Sequence, residues 1–123
     1  MRIAWTDRAL DRVEEIALHI AAEDPAAALR WTDELFAAVE RLSEFPQSGR
    51  LVPELEGRHV RELVYGAYRV FYGVDEVAVI LTVRHASELI REDEVAEGRT
   101  SASSGLGARK VDSNRERAAA LRS

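Results

Sequence analysis

The chain has 123 residues, no cysteine, 46% hydrophobic and 32% charged residues, which is one domain's worth of chain, too apolar for intrinsic disorder and too charged for a membrane-embedded protein. No apolar run approaches the roughly 18 residues that span a bilayer, the N-terminus lacks the regions of a signal peptide, and the absence of cysteine excludes a disulfide framework, a thiolate zinc site and cysteine catalysis. Residues 99–123 carry six cations and two carboxylates, which leaves the first 98 with a formal charge of −9; the expectation is a soluble, cytoplasmic, acidic body with a basic tail, a poor general ligand for nucleic acid.

Arg2–Trp5 reads as a short strand. Thr6 or Asp7 follows as an N-cap, because a short oxygen-bearing side chain can accept from the orphan donors of a first helical turn. Leu10, Val13, Ile16, Ala17 and Ile20 then recur at helical spacing, with Asp11, Arg12, Glu14 and Glu15 on the other face, and predict an amphipathic helix over residues 7–22. Asp24-Pro25 is a capping residue followed by a proline at the first helical position. Ala28, Trp31, Leu35, Val39 and Leu42 give a second apolar stripe to about residue 43. So short a connection predicts an antiparallel αα-hairpin.

Phe45-Pro46-Gln47-Ser48-Gly49-Arg50 breaks the pattern, and the loop is expected to run through Pro53 to Gly57. His59–Tyr65 and Tyr68–Val74 alternate as strands around a tight turn at Gly66. Val77–Arg84 is almost wholly apolar and β-branched, as in a central strand buried on both faces. The fold class is α+β, in the order β-α-α-β-β-β. The αα-hairpin covers one face of an antiparallel sheet and the other face is left for function or a partner. Residues 1–97 form the domain. From 98 to 123 the composition predicts a disordered basic tail, with a marginal helix at most over 112–122.

No strong catalytic signature is present. There is no phosphate-binding glycine loop and no zinc-like histidine pair, so no metal or cofactor is implied. His19, His59 and His85 are far apart in sequence. The informative residues are strand arginines. Arg61 and Arg69 share the strand positions of Leu63 and Phe71, and Arg84 and His85 end the last strand. An arginine among apolar strand residues must meet an anion, a carboxylate or water. One reading pairs these arginines with Glu62, Glu54 or Glu88; the other is an arginine-lined groove for a phosphate backbone or an acidic partner segment.

Trp5-Thr6-Asp7-Arg8-Ala9-Leu10, the loop Phe45–Arg50 with Val52-Pro53-Glu54-Leu55, Val60-Arg61-Glu62-Leu63 leading into Ala67-Tyr68-Arg69-Val70-Phe71-Tyr72, and Val79–His85 resemble, in order and spacing, the RelE/ParE superfamily of type II toxin-antitoxin toxins. The resemblance covers about residues 3–86. It implies one of two activities. ParE-like members poison DNA gyrase without enzymatic turnover; RelE-like members cleave mRNA in the ribosomal A site with basic and aromatic residues of the sheet. The Arg61-Glu62-Leu63 block and the Pro-Gln-Ser-Gly-Arg loop resemble ParE, and Glu62 and Val60 stand where a ribonuclease wants further cations.

On the ParE reading the protein is a gyrase inhibitor rather than an enzyme, with no catalytic residues. Its partners are a cognate antitoxin, in a hetero-oligomer, and gyrase, with no sequence-specific nucleic-acid binding of its own. Arg61, Tyr68, Arg69, Tyr72, Arg84 and His85 are then partner-binding residues, together with Phe71 and the open sheet face. On the RelE-like reading Arg61, Arg69, Arg84 and His85 form the catalytic set. A third reading is a non-toxic, antitoxin-binding remnant. One departure bears on this. ParE-like chains commonly follow the final Arg-His with a small residue and then basic ones, whereas here Ala86-Ser87-Glu88-Leu89-Ile90 and an acidic stretch follow.

Overall fold

The first two helices begin where their capping chemistry places them. Thr6 accepts from the Ala9 amide at 3.1 Å and opens helix α1 (Asp7–Ala21). Asp24 accepts from the Ala27 amide at 3.1 Å and opens α2 (Pro25–Glu40), with Pro25 in its first turn. These caps each contribute about 1 kcal/mol. The expected second helix to residue 43 ends instead in a tighter 3-10 turn, Arg41–Ser43. The computed structural model describes residues 1–55, 58–95 and 105–122. Among these no helix is long and apolar enough to cross a membrane.

Five strands form one sheet: β1 (Ile3–Trp5), β2 (Arg50–Leu51), β3 (Val60–Tyr65), β4 (Tyr68–Val74) and β5 (Ala78–His85), in the order β1-β5-β4-β3-β2. Gly66, at a φ of 56°, makes the two-residue turn that sets Tyr65 opposite Tyr68; that positive φ is why glycine stands there. The sheet is antiparallel except at one edge, where β1 pairs with β5 in parallel. The helical hairpin crosses between β1 and the rest of the sheet, so β1 is free to lie parallel to β5. Thr6 fixes this junction by donating its hydroxyl to the Leu81 carbonyl at 2.9 Å. Leu81 is the extra residue of a β-bulge, where the register steps from Phe71 opposite Thr82 to Tyr72 opposite Ile80.

The main core lies between sheet and hairpin. Leu10, Val13, Leu35, Val39 and Leu42 meet Val70, Tyr72, Ile80 and Val83 there. β5 is buried on both faces as its composition predicts. The far face of the sheet is not open, contrary to the expectation. Val52 and Leu55, around a 3-10 turn at Pro53–Leu55, and Ile90 and Val95 pack over Val60, Phe71, Val79 and Leu81 in a second apolar cluster. Four apolar residues of the segments flanking the sheet were enough to close it, and they lie in stretches too short to show a periodic pattern.

Residues 98–104 and 123 of the basic tail, and 96–97 at the end of the domain, fall outside the described residues. The remainder is a third helix, α3 (Gly105–Arg122), whose Asn114 and Ala118 are buried against the domain.

Candidate functional site

The strand register decides which arginines can act together. Arg61 stands opposite Tyr72, and Arg69 opposite Val64. Side chains alternate across a sheet, so Arg61 and Arg69 lie on opposite faces and do not line one groove. Arg61 turns to the 47–50 loop and donates to the Gly49 carbonyl at 2.7 Å and, more weakly, to that of Gln47 at 3.4 Å. Tyr72 supports the same loop from below. It is completely buried, and its hydroxyl accepts from the Gly49 amide at 2.8 Å. Burial pushes its phenol above the ordinary range. Phe71 is likewise wholly buried. Neither ring is a surface contact in the free chain.

Arg69 and Arg84 face each other across β4 and β5 on the far side of the sheet. Arg69 is buried and held between two carboxylates. Its Nε donates to Glu62 at 2.6 Å, and its terminal nitrogens grip both oxygens of Glu54 at 2.9 Å, the bidentate geometry a planar guanidinium favours. The guanidinium also lies 4.8 Å from the centre of the Phe71 ring. Glu54 raises its pKa further, with Glu62 adding to the effect. Glu62 is shared, because Arg50 bonds its other oxygen from the loop side. Arg84 has the same arrangement one strand over. It pairs with Glu88 at 2.6 Å and with the buried Glu94. For Arg69 and Arg84 the structure contains the pairing with Glu54, Glu62 and Glu88, whereas Arg61 bonds loop carbonyls and no carboxylate. Glu94 carries no sequence signal, since only the fold of residues 86–95 brings it back to Arg84.

A shallow cavity of about 290 Å³ opens over this network, lined by Arg50, Glu54, Glu62, Val64, Arg69 and Leu89. Two guanidiniums and two carboxylates among its walls leave no net positive potential for an anion. The Arg84 pairs fasten the 86–95 segment to the sheet, helped by the bond from Arg69 to the Glu88 carbonyl and by Arg58 to Glu92. Arg69 holds the Glu54 carboxyl below its ordinary pKa of 4.5, and Arg84 does the same for Glu88. A lowered carboxylate pKa adds stability that is complete above the unfolded value and is lost as pH falls through the folded one. The far face is therefore expected to loosen progressively below pH 4.5, as monitored by urea midpoint against pH. A Glu54→Gln, Glu88→Gln double variant should show a flatter acid limb than the parent; an unchanged slope would remove these pairs as its source.

Tyr68 and His85 stand opposite each other at the ends of β4 and β5, and their rings meet edge to face at 5.6 Å. Trp31 from α2 packs on Tyr68 at 5.3 Å and extends the row to three rings, a neighbour the sequence reading assigned only to the helix core. His85 is exposed, and its Nδ1 lies 2.7 Å from the Ser87 hydroxyl. Of the six residues singled out, the structure joins Tyr68 with His85 and Arg69 with Arg84, while Arg61 and Tyr72 belong to the 47–50 loop. Among the described residues no group of acidic and histidine side chains is placed to hold a metal.

Residues 3–90 match the ParE toxin family of type II toxin-antitoxin systems, parDE. The chain belongs to this family. The match begins at β1 and takes in the hairpin, the sheet and both arginine clusters as far as Ile90. The toxin fold is similar in sequence to the putative toxin Y4kP of Sinorhizobium fredii, 42% identical over 91 residues, covering 71% of this chain and 90% of that one. It is also similar to Toxin RelE2 of Caulobacter vibrioides, 34% identical over 90 residues, covering 72% of this chain and 98% of that one.

Proposed function

We propose that this member of the ParE family is the poison of a toxin-antitoxin pair that inhibits DNA gyrase in the cytoplasm, without turnover of its own, and is neutralised by a cognate antitoxin. The observation that carries the choice of target is the state of the sheet arginines. A ribonuclease needs cations that converge on phosphate and are free to stabilise charge as it develops. Here Arg69 and Arg84 are each held by two carboxylates, and Arg61 lies on the other face. A phosphate approaching the far face meets Glu54, Glu62, Glu88 and Glu94 along with the arginines. The acidic body adds repulsion at longer range.

One observation favours the ribonuclease as second reading: His85 is exposed beside Tyr68, an acid-base group next to a stacking ring. Induced expression in a bacterial host separates the readings. The expected result is a DNA-damage response with mRNA on translating ribosomes left intact. Cut mRNA that disappears in His85→Ala, a change at an exposed residue, would move the target to the ribosome. Harmless expression with antitoxin binding retained would identify a remnant.

A further inference from the structure

Helix α2 meets the rest of the fold on two sides and leaves one face open. Leu35 and Val39 enter the main core, and Phe36 and Glu40 meet Arg122 of α3. The remaining face carries Arg30, Glu34, Ala37, Arg41 and Phe45, all exposed, with Ala38 half-buried beside them. These residues recur at steps of three and four, so they form one stripe along the helix. The stripe continues past the last turn of α2, because the Phe45 amide still donates to the Arg41 carbonyl at 2.9 Å. Between the stripe and β3 lies an open cleft of about 720 Å³, with Ala37, Ala38, Phe45 and Leu63 among its walls. Phe45 is 62% exposed, and Val64 at the same cleft is 59% exposed. Scattered apolar residues at a surface are ordinary, but these two border one concave patch.

The side chains of this stripe complement a copy of themselves. With a second α2 set antiparallel about a two-fold axis between Ala37 and Ala38, Ala37 faces Ala38 of the copy. Glu34 then faces Arg41 of the copy, Arg41 faces Glu34, and Arg30 faces Phe45. Opposite charges meet twice, a guanidinium meets an aromatic ring twice, and small residues at the centre let the helices approach closely. The register is selective. Sliding the copy by about one turn sets Arg30 against Arg41 in one direction and Glu34 against Glu44 in the other. Among the described residues the side chains of Arg30 and Arg41 have no partner within the chain. Tyr65 orients Glu34 by donating its hydroxyl to one carboxylate oxygen. We infer that the open face of α2 is a docking site for a second copy of this chain, joined antiparallel about Ala37 and Ala38 into an isologous dimer. The contact is small, so the dimer is of the weak, reversible kind. It leaves the far face of the sheet, with its arginine clusters, uncovered.

Sedimentation velocity of the refolded full chain over a range of concentrations tests this. The parent is expected to pass from monomer to dimer as its concentration rises through the micromolar range. Glu34→Arg sets arginine against Arg41 at both ends of the interface, and Arg41→Glu sets glutamate against Glu34 at both ends. Each variant alone is expected to associate at least about tenfold more weakly, because like charges meet twice. An equimolar mixture of the two variants restores opposite charges at both ends and should dimerise as the parent does. A parent that stays monomeric, single variants that dimerise like the parent, or a mixture that stays monomeric overturns the dimer. If a charge variant does not fold, cross-linking decides, since the chain has no cysteine of its own. Under mild oxidation Ala37→Cys should form disulfide dimers at least about tenfold faster than Leu18→Cys, which is exposed on α1. Equal rates overturn the interface. A monomeric parent whose antitoxin shields Ala37→Cys from alkylation would assign the face to the antitoxin and overturn self-association.

Discussion

Replacing Glu62 by alanine is expected to lower the unfolding free energy by about 3–5 kcal/mol, the range for removing one partner of a buried ion pair. The Glu62 side chain has no solvent exposure and accepts from Arg50 and Arg69 together. Its loss leaves the buried Arg69 with Glu54 as its one carboxylate, leaves its Nε without an acceptor, and frees Arg50 from the far face. The cost is that unsatisfied buried donor more than the lost attraction. On a domain of this size the midpoint of thermal unfolding should fall by roughly 12–20 °C. The paired change Glu62→Leu with Arg69→Met should recover most of that loss, because apolar residues of similar volume dispense with the buried charges. Urea unfolding of the single and paired variants decides the point. A loss below about 1 kcal/mol in Glu62→Ala would show that the network does not hold the far face together.

Gly49→Ala is expected to destabilise the fold by about 2–3 kcal/mol, the upper part of the range for overpacking. A Cβ at this position would lie 2.5 Å from the Glu62 carbonyl and 2.5 Å from the Tyr72 hydroxyl. The first of these is strand backbone and cannot move aside. Any shift of the loop also breaks the Gly49 amide bond to Tyr72 and the Arg61 bond to the Gly49 carbonyl. Tyr72→Phe removes the hydroxyl clash but keeps the ring carbon that would lie 2.8 Å away, so Gly49→Ala should cost somewhat less in that background than in the parent. Equal costs in both backgrounds would place the strain at the Glu62 carbonyl and the Tyr72 ring rather than at its hydroxyl.

The regular elements were legible because each carries its own local evidence. Thr6, Asp24 and Pro25 mark helix starts through orphan amides, and the apolar stripe of α1 has a period only a helix satisfies. Gly66 marks the hairpin of β3 and β4, and the run from Val77 reads as a central strand. β2 is two residues long and has no pattern to read. The parallel pairing of β1 was hidden as well, since a strand of three residues shows its alternation but not its direction. α3 was underestimated for a different reason. Its ordering comes from a surface made by β1, α1 and α2, and the helix itself contains little that predicts it.

The site divides along the same line. That the strand arginines need partners follows from the desolvation of a guanidinium, and Glu54, Glu62 and Glu88 were foreseeable as those partners. Which face each arginine occupies depends on register. Arg61 and Arg69 are eight residues apart on two strands joined by a two-residue turn, and that turn sends them to opposite faces. The burial of Tyr72 and Phe71 depended on the loop at Gly49 and the segment through Ile90 and Val95, both distant in sequence. Trp31 beside Tyr68 is a helix-to-sheet contact, set by packing rather than by any motif.

Gyrase inhibition is tested most directly by supercoiling of a relaxed plasmid, with the toxin freed from its antitoxin by denaturation and refolding and linear DNA scored on the same gel. Dose-dependent loss of supercoiling, accumulation of linear product, and full relief on adding the antitoxin back are expected. Undiminished supercoiling by a refolded protein that still binds its antitoxin would contradict it.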